Sequence, residues 1–219
     1  LAKARLHTNI PEWLPSKHSA MRSMLRLALT AYIFCFTALS PVQSHAFELE
    51  ESTYKAKEVL DQIFASQGLR KPKMKIVNSL LGSTLTICSS SGEHGYTKVT
   101  KQSGPFYCPS EHTYYMPARF LEAFLYEYGP GAVSYVAAHE IGHAYQSQMG
   151  WQRQPPYHEW QADCIAGAVM RNSSFSARER TEAASAAFAV GGGSVHGSGK
   201  GRKESFLMGL RNGITGCNR

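Results

Sequence analysis

Three residues within a run of five hold the most recognisable chemistry of this chain: His139, Glu140 and His143, in the order H-E-x-x-H. Imidazoles four residues apart stand on one face of a helix, one turn from each other. Two ring nitrogens placed this way can share a single Zn²⁺. Glu140 follows the first histidine directly. Its carboxylate sits beside that metal without having to bind it, where a base for an attacking water is wanted. The pattern is short enough to arise by chance, so its weight depends on what joins it.

A catalytic zinc typically has three protein ligands and one open position. After a proline-interrupted connector over 151–156, a helix is expected over 157–171, with Glu159 and Asp163 four apart on one face. Glu159 would complete a set of two histidines and one carboxylate. Asp163 would then accept an N–H from a ligand histidine and fix its tautomer. His158 competes with Glu159 for the third place; the two point about 100° apart on a helix, so only one faces the metal. The alternative is a solvated acidic face, although Ala162, Ile165, Ala166 and Ala168 give this helix a buried side as well.

The elements that must hold these residues are legible in outline. Residues 131–148 contain Ala132, Val133, Val136, Ala137, Ile141 and Ala144 and no proline, and Gly150 follows as a stop. Gly142 costs such a helix about 1 kcal/mol against alanine, which points to close approach by another backbone. Upstream, residues 47–67 read as a helix with Val59, Leu60, Ile63 and Phe64 in a stripe, closed by Gly68. Strands are expected over 75–77 and 84–87 around a turn near Gly82. Residues 89–104 should form a loop or irregular hairpin, with His94 a surface imidazole. Residues 112–116 are β-prone, and Pro117 opens a helix with Phe120, Leu121, Phe124 and Leu125 on one side. Residues 113–116 are the candidate edge strand for an extended substrate backbone; the alternative is an ordinary sheet strand. Downstream come a helix over 177–190, the Gly191-Gly192-Gly193 break, His196-Gly197-Ser198, and a short helix over 204–211. The pattern predicts an α+β domain, mainly helical, with a small sheet next to the H-E-x-x-H helix.

The 219 residues are 43% hydrophobic, enough for one domain with its own core. The formal charge of +7 is uneven: residues 47–219 hold 18 basic and 15 acidic side chains, a net +3. No Lys/Arg block with interleaved aromatics occurs, so no nucleic-acid partner is expected. Residues 21–46 resemble an export signal, with Met21, Arg22 and Arg26 ahead of an uncharged apolar run over 27–39, and Ser44 and Ala46 at the −3 and −1 positions. Cleavage after Ala46 would leave one domain over 47–219, with 1–20 an over-extended start. If cleavage fails, residues 25–43 would anchor the chain to a membrane. Cys88, Cys108, Cys164 and Cys217 would then lie in an oxidising periplasmic or extracellular space, which favours disulfides without choosing among three pairings.

Five segments carry a resemblance: G-P-F-Y-C-P (104–109), A-H-E-I-G-H-A-Y-Q (138–146), E-W-Q-A-D-C-I-A-G (159–167), H-G-S-x-x-x-R (196–202) and the late Cys217. In this order they resemble the putative neutral zinc metallopeptidase family of bacteria, zincins of the gluzincin type. The resemblance implies that His139, His143 and Glu159 bind one Zn²⁺ per chain, that Glu140 is general base and acid, and that Asp163 orients a ligand. It also implies the pairings Cys88–Cys108 and Cys164–Cys217. The chain departs from the family in a shorter link between His143 and Glu159, and in Gly192-Gly193 where the family carries an acidic pair.

The expected activity is hydrolysis of a peptide bond in a peptide or protein, as an endopeptidase. His196 is a candidate for meeting the developing oxyanion; the alternative is a structural histidine that caps a helix or bonds a carbonyl. Two further readings belong to other classes. One is an exported, disulfide-stapled binding module that keeps the zincin fold without catalysis, against which the presence of Glu140 argues. The other is a closed structural zinc site, which would usually need four protein ligands, often cysteine.

Overall fold

The β-branched and aromatic runs of the first half of the chain meet in one small sheet. The computed structural model describes residues 41–77, 84–86, 88, 97–99, 103–151 and 153–218. Within it, residues His45–Arg219 form one compact unit. Helix α1 (Pro41–Ser66) begins six residues ahead of the expected start at Phe47 and leads into β1 (Lys73–Val77). β2 (Thr84–Thr86) and β3 (Thr97–Val99) pair antiparallel, and most of the expected loop over 89–104 lies outside the described residues. The turn near Gly82, His94, residues 1–20 and nearly all of the expected export signal lie outside the described residues.

The main sheet has the order β1–β5–β4, with β4 at Phe106–Cys108 and β5 at Thr113–Pro117. β5 runs parallel to β1 and antiparallel to β4, and all five of its residues are buried. This corrects the expectation for residues 113–116. They are the centre of the sheet, not its edge, because both of their flanks are taken by neighbouring strands. The sheet edge facing the H-E-x-x-H helix belongs to β4.

Pro117 caps α2 (Ala118–Tyr128), and Gly129 separates it from α3 (Pro130–Met149), the helix of His139 and His143. Proline at the first position of α3 suits a helix start, and Gly150, at φ 66°, ends it in the left-handed region. Next come α4 (Tyr157–Met170), α5 (Ala177–Ala189), α6 (Gly193–His196), α7 (Gly199–Asn212) and a 3₁₀ turn at Ile214–Cys217. α7 begins five residues before the expected 204. Gly199 and Gly201 depress helix propensity, but Ser198 supplies the start, its hydroxyl accepting from the Gly201 N–H at 3.1 Å.

α3 sits in the middle of the core, between α2, α4, α5 and the sheet, and fifteen of its residues are buried. Gly142 explains itself here: a Cβ on it would come within 3.3 Å of the Ala162 carbonyl oxygen of α4. The crossing of α4 and α7 is tighter still. A Cβ on Gly209 would lie 1.8 Å from the Cys164 oxygen, and one on Gly167 would lie 1.9 Å from the Phe206 oxygen. Small residues at this crossing let α7 bring Arg202 down against α4.

Candidate metal centre

The helical spacing of α3 puts His139 and His143 side by side, with ring centroids 4.7 Å apart. His139 and Glu140 are each 6% exposed, although both border a cavity. The first turn of α4 supplies Glu159 opposite them. Its Oε2 lies 3.2 Å from His139 Nε2 and its Oε1 lies 3.5 Å from His143 Nε2. One ligand atom from each of the three residues falls within 4.8 Å of the others, so His139, His143 and Glu159 form a group able to hold a metal ion. His158 does not join it. Its ring stacks on His143 at 5.0 Å, with a buried Nδ1 that has no hydrogen-bond partner among the described residues.

Behind these three residues the structure supplies a second ring of contacts. Asp163, fully buried on α4, accepts from His139 Nδ1 at 2.9 Å, which turns Nε2 towards Glu159. Asp163 also accepts from the Tyr135 hydroxyl at 2.6 Å and from Arg202 through Nε at 2.8 Å and Nη2 at 2.9 Å. Arg202 is 3% exposed, and its Nη2 lies 3.8 Å from Glu159 Oε2. His143 is held differently, by Gln146 Oε1 at 2.8 Å from its Nδ1. Sequence reasoning misses Tyr135, Gln146 and Arg202. Tyr135 is one turn before His139 and Gln146 nearly one turn after His143, so helical spacing is a signal that could have found both. Arg202 stands in the motif at 196–202, but sequence offers no means of pairing it with Asp163.

The electrostatics follow from this burial. Desolvation works against charge on His139, but Asp163 and Glu159 outweigh it and push the imidazole up to about 9. Desolvation and the neighbouring His139 push His143 down to about 3. Burial pushes the Glu140 carboxyl up to about 7. Glu159 and Asp163 lose solvation too, yet His139 and Arg202 beside them hold both carboxyls below the usual range. A metal would take both imidazoles in the neutral form, so its binding would displace the His139 proton.

The group opens into a cavity of about 810 Å³. Phe106, Phe120, Val136, Trp151 and Val190 supply apolar wall. His196 borders the same cavity from the end of α6 and is exposed. β4 forms one side and is fixed in place by Tyr107. The Tyr107 N–H donates to the Glu140 carboxylate, and the Tyr107 hydroxyl bonds His112 Nδ1 at 2.7 Å. His112 Nε2 in turn donates to the Arg70 carbonyl at 2.8 Å.

Disulfides join Cys88 to Cys108, at the end of β4, and Cys164 to Cys217, across α4 and the last turn. These are the pairings the resemblance implies, and they fit an oxidising compartment. Among the described residues no helix is long and apolar enough to cross a membrane.

Comparison with known proteins gives distant relatives. The chain is 26% identical over 189 residues to the uncharacterized protein Rv2575 of Mycobacterium tuberculosis, covering 67% of this chain and 61% of that protein. It is 30% identical over 131 residues to the uncharacterized protein YpfJ of Escherichia coli K12, covering 48% of this chain and 46% of that protein. The chain therefore spans about half to three-fifths of the length of these relatives. No solved structure matches. The profile of one family matches residues 52–213, from α1 to the residue after α7, and the chain belongs to that family, the putative neutral zinc metallopeptidases.

Proposed function

We propose that the protein is a zinc-dependent metallopeptidase, with His139, His143 and Glu159 as metal ligands and Glu140 as general base. The observation that carries this reading is the convergence of two imidazole Nε2 atoms and one carboxylate within 4.8 Å, at the floor of an open cavity, with Glu140 beside them. The donor set fits zinc. Two nitrogens and one oxygen make the three-ligand set of a catalytic site, and the Nδ1 atoms are occupied by Asp163 and Gln146, which frees Nε2 on both rings.

Bound zinc supplies Lewis acidity, polarising a carbonyl and making water a better nucleophile at neutral pH. Glu140 takes the proton of the attacking water on its carboxylate and returns it to the leaving amine. The Tyr107 N–H, donated to Glu140, keeps that carboxylate beside the ligands. β4 pairs only with β5 among the described residues, so its outer side can accept an extended substrate backbone. Phe106, Phe120, Val136 and Trp151 favour apolar substrate side chains. His196, at the rim of the cavity, is the group proposed to meet the developing oxyanion, and an endopeptidase acting on exported proteins or peptides is the substrate reading.

The test is Glu140→Gln. Peptidase activity should fall by about 10²–10⁴-fold while zinc remains bound. Parental activity in the Glu140→Gln protein would contradict the assignment. A parent chain that binds zinc but cleaves no peptide would favour the non-catalytic binding module.

A further inference from the structure

We infer that Gln146 and Gln161 are positioning residues for His143, and that the Cys164–Cys217 disulfide anchors the far end of their relay, so the site's hold on a divalent cation depends on that disulfide. The inference rests on the metal-site reading above and extends it to residues that reading does not use.

The relay runs inward from a backbone carbonyl. The Cys217 oxygen can only accept, so Gln161 must present Nε2 to it, at 3.0 Å. That turns Gln161 Oε1 towards Gln146, whose Nε2 lies 3.0 Å away. The same Gln146 Nε2 lies 2.8 Å from the His158 carbonyl, another group that can only accept. Both contacts fix the Gln146 amide with Oε1 towards His143, 2.8 Å from Nδ1. His143 must therefore carry its proton on Nδ1, and the Nε2 lone pair faces Glu159.

Each link is desolvated, so none can be exchanged cheaply for water. Gln146 is 0% exposed, Gln161 5% and Cys217 2%. Reversing either amide would set two oxygens against each other in a buried site, which costs more than losing a hydrogen bond. The Cys217 carbonyl stays in place because the 3₁₀ turn that carries it is bonded through Cys217 to Cys164 of α4, three residues after Gln161. The two histidines are thus set by different means. His139 leans on the charged pair of Asp163 and Arg202, whereas His143 depends on a neutral amide chain ending at a disulfide.

The experiment compares the parent chain with Gln146→Met, Gln161→Met and the double variant Cys164→Ala/Cys217→Ala. Methionine keeps the side-chain volume and removes the amide. Two readouts are taken: zinc affinity by chelator competition, and the ¹⁵N shifts of His143 in metal-free protein above neutral pH, which report the tautomer. Gln146→Met should weaken zinc by about ten- to a hundredfold. Gln161→Met and the cysteine pair should weaken it by about tenfold, because the His158 carbonyl still orients Gln146. Gln146→Met should shift His143 from a pure Nδ1–H tautomer to a mixture, and Gln161→Met and the cysteine pair should do so to a smaller extent. Glu179→Gln, remote from the relay, should leave both readouts unchanged.

Folded Gln146→Met and Gln161→Met proteins with parental zinc affinity and an unchanged tautomer would overturn the inference. If the cysteine variant fails to fold, Gln161→Met decides the case alone. If the parent binds no zinc, the metal reading falls, and the tautomer in metal-free protein still tests the relay.

Discussion

Asp163 takes four hydrogen bonds on two oxygens with no exposure to solvent, from Tyr135, His139 and Arg202. Its charge is matched by Arg202, also buried, so neither tolerates loss of the other. Removing one partner of a buried pair leaves an uncompensated charge, at a cost of about 3–5 kcal/mol. Asp163→Ala should therefore lower unfolding free energy by about that amount in a urea titration, and weaken zinc by about ten- to a hundredfold. A loss below about 1 kcal/mol with unchanged zinc affinity would show that the pair is not coupled to His139. The group that could hold a metal is legible in the chain because helical spacing puts His139 with His143, and Glu159 with Asp163, on single faces. Arg202 is not, because its partner lies 39 residues away and only the packing of α7 on α4 joins them.

At the scale of elements, the start of α3 is held by α5. The Gly131 N–H donates to Glu182 of α5 at 2.9 Å, placing a carboxylate at the positive end of the site-bearing helix. α5 is itself set by a capping box. Ser176 accepts from the Glu179 N–H at 3.2 Å, Glu179 accepts from the Ser176 N–H at 2.7 Å, and Lys55 of α1 pairs with Glu179 at 2.6 Å. Glu179 loses some solvation, but Lys55 and Ser176 outweigh that and hold its carboxyl below the usual value. Its folded pKa is thus below its unfolded one, so its contribution is full above the ordinary glutamate range and is lost as pH falls through the folded value. Glu179→Gln should cost about 1 kcal/mol at neutral pH, and the gap to the parent should close in acid. A gap that widens on acidification would contradict the assignment. Helix positions read well from sequence because their periodicity is local. The edge strand does not, because β5 differs from β4 only in its pairing partners, and pairing is not local.

At the scale of the whole molecule, two disulfides among the described residues lock the ends of the site. Cys88–Cys108 holds β4, and Cys164–Cys217, with a separation of 53 residues, ties α4 to the last turn. Chain-entropy arguments give the longer loop about 4 kcal/mol and the shorter about 3 kcal/mol of stabilisation. Cys164→Ala/Cys217→Ala should accordingly lower the unfolding free energy more than Cys88→Ala/Cys108→Ala, as read by urea titration. The opposite order would mean that the C-terminal turn is not part of the cooperative core. The even cysteine count favours disulfides but leaves their pairing to the family resemblance, while the depth of the site comes from contacts between α3, α4 and α7 that no window of sequence contains.

The central claim is that one zinc ion sits on His139, His143 and Glu159. Metal analysis of the purified protein, parent and Glu159→Ala side by side, tests it most directly. About one zinc per chain in the parent and a large loss in the variant is the predicted result. Full zinc in Glu159→Ala would remove Glu159 from the metal and turn attention to His158, and no zinc in either protein would contradict the account.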